Sequence, residues 1–216
     1  MRFAAVLLLL FPSGQVAAQE PMDTKLVIQQ GGRETGREEF TLRQGRGRGA
    51  PGTTLIAVAR YPATNPVLKL GATLERTPES ALAKFQLDVE GPNGTTVILA
   101  AGSGARLIVR TVAKGSEAGR ELPGGPDVVL LDDGVYSLYI AVADLATPQG
   151  RALTGVFPRT SRRTSFRAKL DGGGDGGGKR VTLSGDINGS LVTDAKGRLQ
   201  RLELVDSGVI VTRVPD

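Results

Sequence analysis

The sequence predicts a mainly β protein: a long, curved antiparallel sheet, or half-barrel, wrapped around one amphipathic helix. Three observations lead to this prediction. Apolar and polar residues alternate with a period of two along most of the chain. The 216 residues include 30 Gly and 12 Pro, a content that favours many turns between short strands. One segment alone has apolar residues at a convincing helical spacing, and it must be buried against a sheet.

The N-terminal residues 1–18 have the features of a secretory signal peptide. Arg2 supplies a positive charge, an apolar stretch covers residues 3–11, and Val16-Ala17-Ala18 provides the small residues that a signal peptidase requires. The apolar stretch is about half the roughly 20 residues that a membrane span needs. We therefore expect cleavage after Ala18, a periplasmic location, and one domain over residues 19–216 that does not span a membrane.

Seven strands are predicted in the first half of the mature chain. In the second of them Phe40 and Leu42 face inward, and in the fourth Leu68, Leu70, Ala72 and Leu74 alternate with polar or small residues. Pro62 ends the third, and Gly91-Pro92-Asn93-Gly94 forms a turn between the fifth and sixth. The seven predicted strands cover residues 25–30, 38–43, 54–61, 68–75, 85–89, 95–100 and 106–112.

The helix is predicted over residues 133–146. Val135, Leu138, Tyr139, Val142 and Leu145 lie on one face at helical spacing. Asp132 or Asp133 is suited to cap its start, and Pro148 follows its end. Six strands are predicted after it, over residues 152–157, 165–170, 179–185, 190–193, 199–205 and 209–214.

Composition excludes several kinds of chemistry. The chain has no His and no Cys, which excludes Ser-His-Asp and Cys-His catalysis, the usual zinc sites, disulfides and a lipid-bearing cysteine. It has no Trp, and aromatic residues are 4% of the total, which is thin for a carbohydrate-binding or base-stacking face. We predict no cofactor. Carboxylates remain as acid–base candidates, with Asp132, Asp133 and Asp186 foremost, although paired aspartates before a helix usually act as caps.

One glycine-rich segment and two groups of basic residues suggest possible functions. Residues 171–179 have the glycine and lysine spacing of a phosphate loop, but Arg180 stands where Ser or Thr is needed and a strand follows, so we predict a hairpin tip. The mature chain is basic, and export argues against a nucleic-acid partner. A predicted basic surface suits an anionic envelope surface or protein, or serves as a solvated edge; it comprises Arg33, Arg37, Arg43, Arg46 and Arg48. A second basic run comprises Arg159, Arg162, Arg163, Arg167 and Lys169.

Two stretches resemble parts of uncharacterised exported bacterial proteins that belong to families of unknown function. Residues 128–146 resemble their segment in which a leucine-aspartate turn leads into a helix. Residues 191–204 resemble their closing hairpin, in which an Asp-x-x-Gly-Arg-Leu turn joins two hydrophobic strands. The resemblance implies a β-clam fold similar to that of the periplasmic lipoprotein carriers. It implies no catalytic residues.

The leading functional hypothesis is therefore a non-catalytic periplasmic protein that binds a lipid, another amphipathic molecule or an envelope component. Its predicted ligand-binding residues, which could instead simply fill a closed core, are Leu68, Leu70, Leu74, Phe85 and Leu87 on the sheet, with Leu138, Tyr139 and Val142 on the helix. A structural or assembly factor of the envelope, acting through the basic surface, is the alternative. An enzyme that uses two converging carboxylates is the third hypothesis.

Overall fold

A computed structural model describes residues 22–173 and 177–215, so the predicted signal peptide lies outside the described residues. The first eight strands are β1 (Met22–Gln30), β2 (Arg33–Gln44), β3 (Thr53–Tyr61), β4 (Leu68–Arg76), β5 (Leu82–Gly91), β6 (Gly94–Ser103), β7 (Arg106–Ala113) and β8 (Ser116–Pro123). The remaining seven are β9 (Val128–Leu130), β10 (Arg151–Phe157), β11 (Arg162–Gly173), β12 (Lys179–Gly185), β13 (Gly189–Thr193), β14 (Leu199–Leu204) and β15 (Val209–Arg213).

All of these strands belong to one large, curved, open sheet. Its order is β8-β7-β6-β5-β4-β3-β2-β1-β15-β14-β13-β12-β11-β10-β9, so two meanders meet where β1 pairs with β15. Neighbouring strands are antiparallel except β9 and β10, which are parallel. The prediction of a mainly β protein with a long sheet is confirmed. The predicted strands are present, and several extend beyond the predicted bounds.

Two strands escaped prediction. β8 carries mostly polar or small residues, and only Leu122 among them is a large apolar side chain, so it has no clear alternation. It forms because β7 supplies a complete antiparallel partner from Arg106 to Ala113. β9 is three residues long and pairs with β10, which begins 21 residues further along the chain. The β9 pairing leaves no local pattern to detect, and the β8 pairing leaves only the Lys114-Gly115 turn, where Gly115 has a φ of 76°.

The helical segment is shorter than predicted. A 3-10 turn covers Tyr136–Tyr139, and the α-helix, α1, covers Ile140–Leu145; together they form the helical segment. Neither Asp132 nor Asp133 caps it, since Val135 and Tyr139 stand at the two N-cap positions without side-chain cap bonds. Burial is also not restricted to the predicted apolar face, because every residue from 134 to 143 is buried. A helix that is buried on all sides has no polar face and no room for exposed caps.

The core explains this burial. α1 contacts β11, β12 and β13, and the preceding 3-10 turn contacts β14. From the other half of the sheet, Glu38 of β2, Tyr61 of β3 and Arg76 of β4 bond to the same segment. Both meanders therefore meet the helical segment, and β9 also contacts β5. Within the described residues, no helix is long and apolar enough to cross a membrane.

Candidate functional site

A buried polar cluster lies where the helical segment begins. Asp132 is 1% exposed, and its two carboxylate oxygens accept hydrogen bonds from Arg159 Nη2 and Nε, each at 2.8 Å. Asp132 Oδ1 also accepts a bond from the Gly134 N–H at 2.9 Å. This two-point pairing fixes the Arg159 side chain and raises its pKa, chiefly through the hydrogen bonds with Asp132.

Glu38 is the second carboxylate of the cluster and is fully buried. It lies on the inward side of β2 because it is two residues before Phe40. Glu38 Oε2 accepts a hydrogen bond from the Tyr136 N–H at 2.7 Å, and Oε1 accepts one from the Ser137 N–H at 3.0 Å. Burial raises the Glu38 pKa to about 7, the Ser137 and Tyr136 donors oppose this shift, and Asp132 adds to it.

Tyrosines enclose the two carboxylates. Tyr61 donates a hydrogen bond from its hydroxyl to Gly134 O at 2.8 Å, and Tyr136 donates one to Asp133 O at 3.1 Å. Burial raises the pKa of both phenols above the usual range. The cluster therefore holds two carboxylates together, but both are shielded from solvent. This geometry suits structural anchoring of residues 134–137 better than acid–base work on a substrate.

The carboxylates selected from the sequence have structural partners. Asp133 forms an ion pair with Arg162 at 2.6 Å, and the Arg162 guanidinium lies 3.8 Å above the centre of the Phe157 ring. Asp186 accepts a bond from the Ser165 N–H at 2.7 Å. In residues 22–173 and 177–215, no group of three or more acidic residues could hold a metal ion.

The glycine-rich segment lies between β11 and β12, and its residues 174–176 fall outside the described part of the chain. The predicted strand after it is β12. Lys179 Nζ donates hydrogen bonds to Asp144 Oδ1 at 3.0 Å and to Ala143 O at 3.2 Å, so this lysine contacts the end of α1.

An open cavity of about 410 Å³ adjoins the buried cluster on the core side of the sheet. We call it the inner cavity; it lies between β5–β8 and the turn at residues 158–161. Its apolar wall contains Val89, Ile98 and Val109, and its polar lining includes Thr96, Thr111, Arg120, Arg159 and Ser161. No local pattern in the sequence indicated this cavity, because Arg120 lies on the unpredicted strand β8 and Arg159 lies in a distant turn.

The predicted ligand-binding residues lie elsewhere. Seven of them are buried in the core cluster, and the eighth, Leu68, packs against it. None of the eight lines the inner cavity. Phe85 and Leu87 of β5 and the helical residues Leu138, Tyr139 and Val142 instead fill the space inside the curved sheet. Burial raises the Tyr139 pKa. Leu70 and Leu74 of β4 belong to the same cluster.

The five arginines of the predicted basic surface are spread along the length of β2 and the loop after it. Ten residues separate Arg33 from Arg43, on the order of 33 Å along a strand. Arg37 pairs with Glu34 at 2.8 Å, and Arg46 donates a hydrogen bond to Pro51 O at 2.7 Å. Arg48 is exposed. The structure therefore gathers Arg43, Arg46 and Arg48 at one end of β2 and leaves Arg33 at the other.

No family model matches the chain, and no curated protein matches it. A crystal structure of a DUF1089 family protein from Pseudomonas aeruginosa is similar over 92% of this chain and 94% of its own, with 12% sequence identity and a TM-score of 0.44.

Proposed function

We propose that this protein is an exported, non-catalytic binding protein that holds a hydrophobic or amphipathic ligand in the inner cavity of a β-clam. The observation that carries the proposal is the inner cavity itself, whose lining combines apolar side chains with those of arginine and threonine. Its volume of about 410 Å³ is within the range of small-molecule sites.

The contacts of the helical segment with the curved sheet support this proposal. The two meanders of the sheet both contact the helical segment, and the contact between β5 and β9 brings strands from opposite halves together. The helical segment and the leucines around it form a solid core. The ligand would therefore lie beside the helix rather than replace it, against the strands β5–β8.

A matched pair of variants tests the proposal. Thr111→Trp places a large side chain in the inner cavity, whereas Val112→Trp places the same side chain on the opposite face, where Val112 is 38% exposed. Both proteins would be purified from the periplasm and examined by native mass spectrometry. We expect a small molecule to travel with the wild type and the Val112 variant and to be lost from the Thr111 variant.

The proposal fails if the wild-type protein carries no small molecule and binds neither decyl phosphate nor decyl maltoside in solution. It also fails if Thr111→Trp leaves binding unchanged while the protein remains folded, since the ligand would then occupy another part of the molecule.

A further inference from the structure

Arg120 carries a positive charge into the inner cavity without a matching carboxylate. Successive side chains of a strand point to opposite faces of the sheet, so Ala118, Arg120 and Leu122 share one face of β8. Arg120 lies opposite the buried Val109, which places this face on the core side. Its Nη1 donates to Ser161 Oγ, and its Nη2 donates to Pro158 O at 2.9 Å. Both acceptors are neutral, and within the part of the chain that the structure describes Arg120 forms no ion pair.

The other charged group of the cavity wall is already neutralised. Arg159 is paired through two hydrogen bonds with Asp132 and is 26% exposed. Because this pair has no net charge, the described residues leave the cavity wall with an excess of one positive charge, that of Arg120.

The hydrogen bonds to two neutral acceptors hold the Arg120 guanidinium in place and leave some of its N–H groups without an acceptor among the described residues. An arginine has five N–H groups, and the two hydrogen bonds to Ser161 and Pro158 occupy two of them. The hydroxyls of Thr96 and Thr111 also line the cavity. A fixed, partly unsatisfied guanidinium beside hydroxyl donors is suited to phosphate or carboxylate oxygens.

From this geometry we infer that the ligand of the inner cavity is amphipathic with an anionic end group, a phosphate or a carboxylate, which binds Arg120. This inference rests on the proposed function, which supplies the ligand's apolar part. That part contacts Val89, Ile98 and Val109. Arg159 and Asp132 position the turn that presents Ser161 to Arg120.

The test measures the binding of three probes by calorimetry, with the mature chain 19–216 and the alkyl probes below their micelle concentrations. Decyl phosphate and decyl maltoside share an alkyl chain and differ in charge, and inorganic phosphate has the charge without the chain. Arg120→Met removes the charge and keeps the apolar stem. The control, Arg110→Met, removes an exposed arginine on the outward face of β7, where Arg110 pairs with Glu117.

We expect Arg120→Met to weaken decyl phosphate binding at least tenfold and to change decyl maltoside binding less than about twofold, as charge-assisted bonds to an arginine predict. Arg110→Met should leave both unchanged. Arg120→Lys, which keeps the charge but not the planar fork, should lie between the wild type and Arg120→Met and shows whether a loss reflects charge or misfolding.

The outcomes separate the two proposals. If Arg120→Met weakens both decyl probes equally, or weakens neither, the inference of an anionic end group is overturned while an apolar cavity remains. If inorganic phosphate binds as tightly as decyl phosphate and depends equally on Arg120, the anion site stands and the amphipathic ligand fails. If decyl maltoside binds and decyl phosphate does not, the anionic end group is overturned and the apolar cavity stands. If neither decyl probe binds and no small molecule travels with the wild type, both proposals fail.

Discussion

Glu38 is a fully buried carboxylate whose two oxygens each accept a hydrogen bond from a backbone N–H. Charged, it satisfies the N–H groups of Tyr136 and Ser137, which begin the 3-10 turn and have no intrahelical acceptors. The cost is the desolvation of the charge, which raises the Glu38 pKa from 4.5 to about 7. A single side chain thus ties β2 to the helical segment and makes that connection sensitive to pH.

We predict that Glu38 makes the free energy of unfolding depend on pH. Between pH 4.5 and about 7 the folded protein holds a proton on Glu38 that the unfolded chain releases, so the free energy of unfolding should fall as pH rises through this range. The contribution of Glu38 is about 3 kcal/mol over the whole range. Glu38→Gln should remove it, because the amide does not titrate. Urea unfolding at pH 5 and pH 8 measures the difference.

A neighbouring glutamate provides the control for this experiment. Glu39 lies on the opposite side of β2, its side chain is 54% exposed and it lies 3.7 Å from Arg60. Glu39→Gln should therefore keep the wild-type dependence on pH. Parallel pH profiles for the wild type and Glu38→Gln would show that another group accounts for the slope.

Gly36 is a glycine whose hydrogen atom leaves room for Tyr61. A Cβ at this position would overlap the Tyr61 ring and come 2.8 Å from Arg60 O. Tyr61 is not able to move away easily, because its hydroxyl bonds to Gly134 O in the buried cluster. The contact therefore links a β2 backbone position to the geometry of residues 132–137.

We predict that Gly36→Ala destabilises the protein by about 2 kcal/mol, the usual cost of overfilling a packed site. Gly119→Ala is the control, since Gly119 also lies within a strand and a Cβ there would meet no atom within 4 Å. Its effect should stay within about 0.5 kcal/mol. Thermal unfolding monitored by circular dichroism compares the two, and equal losses would contradict the role of Tyr61.

Ion pairs hold α1 to the sheet near its C-terminal end. Asp144 accepts hydrogen bonds from Arg76 of β4 at 2.7 Å and from Lys179 of β12 at 3.0 Å. These strands belong to opposite meanders of the sheet. The Arg76 side chain is 5% exposed, and its Nη1 is buried without a hydrogen-bond partner among the described residues. Asp144 is therefore the negative group that offsets a buried cation.

Asp144→Asn should destabilise the protein by about 3 kcal/mol, because it leaves the Arg76 guanidinium buried without a charged partner. Asp127→Asn removes an Asp–Arg pair of similar length, 2.6 Å to Arg151, but its aspartate is 55% exposed. This control should cost less than about 1 kcal/mol. Urea unfolding of both variants at pH 7 compares the two ion pairs. Equal unfolding midpoints would show that the Arg76–Asp144 pair stabilises the protein no more than a surface pair does.

The two meanders of the sheet meet where β1 pairs with β15, and the helical segment forms hydrogen bonds to both of them. Glu38 and Arg76 belong to one meander, and Lys179 belongs to the other. The core therefore depends on a segment of ten residues, Tyr136–Leu145, that carries bonds in both directions. This arrangement explains why the segment is buried around nearly its full circumference.

The export of the whole protein is also open to test. Residues 1–18 should be removed on export, so the periplasmic protein should begin at Gln19. Intact-mass measurement of protein from the periplasmic fraction checks this expectation. Ala18→Arg replaces the small residue before the cleavage site, and it should block cleavage and retain the longer form in the membrane fraction. An unprocessed wild-type chain in the cytoplasm would contradict the prediction.

Strands with clear alternation, such as β4, could be predicted from the sequence, because burial of one sheet face imposes a period of two on local composition. The position of the helical segment could be predicted as well, and the lack of His and Cys is a property of the sequence itself. The inner cavity and the buried cluster could not be predicted in this way, because they form only when the sheet folds around the helical segment. Arg120, Arg159 and Glu38 gain their roles from hydrogen bonds to residues that lie 27 or more positions away in the chain. Such contacts depend on the curvature of the sheet, which local composition does not record.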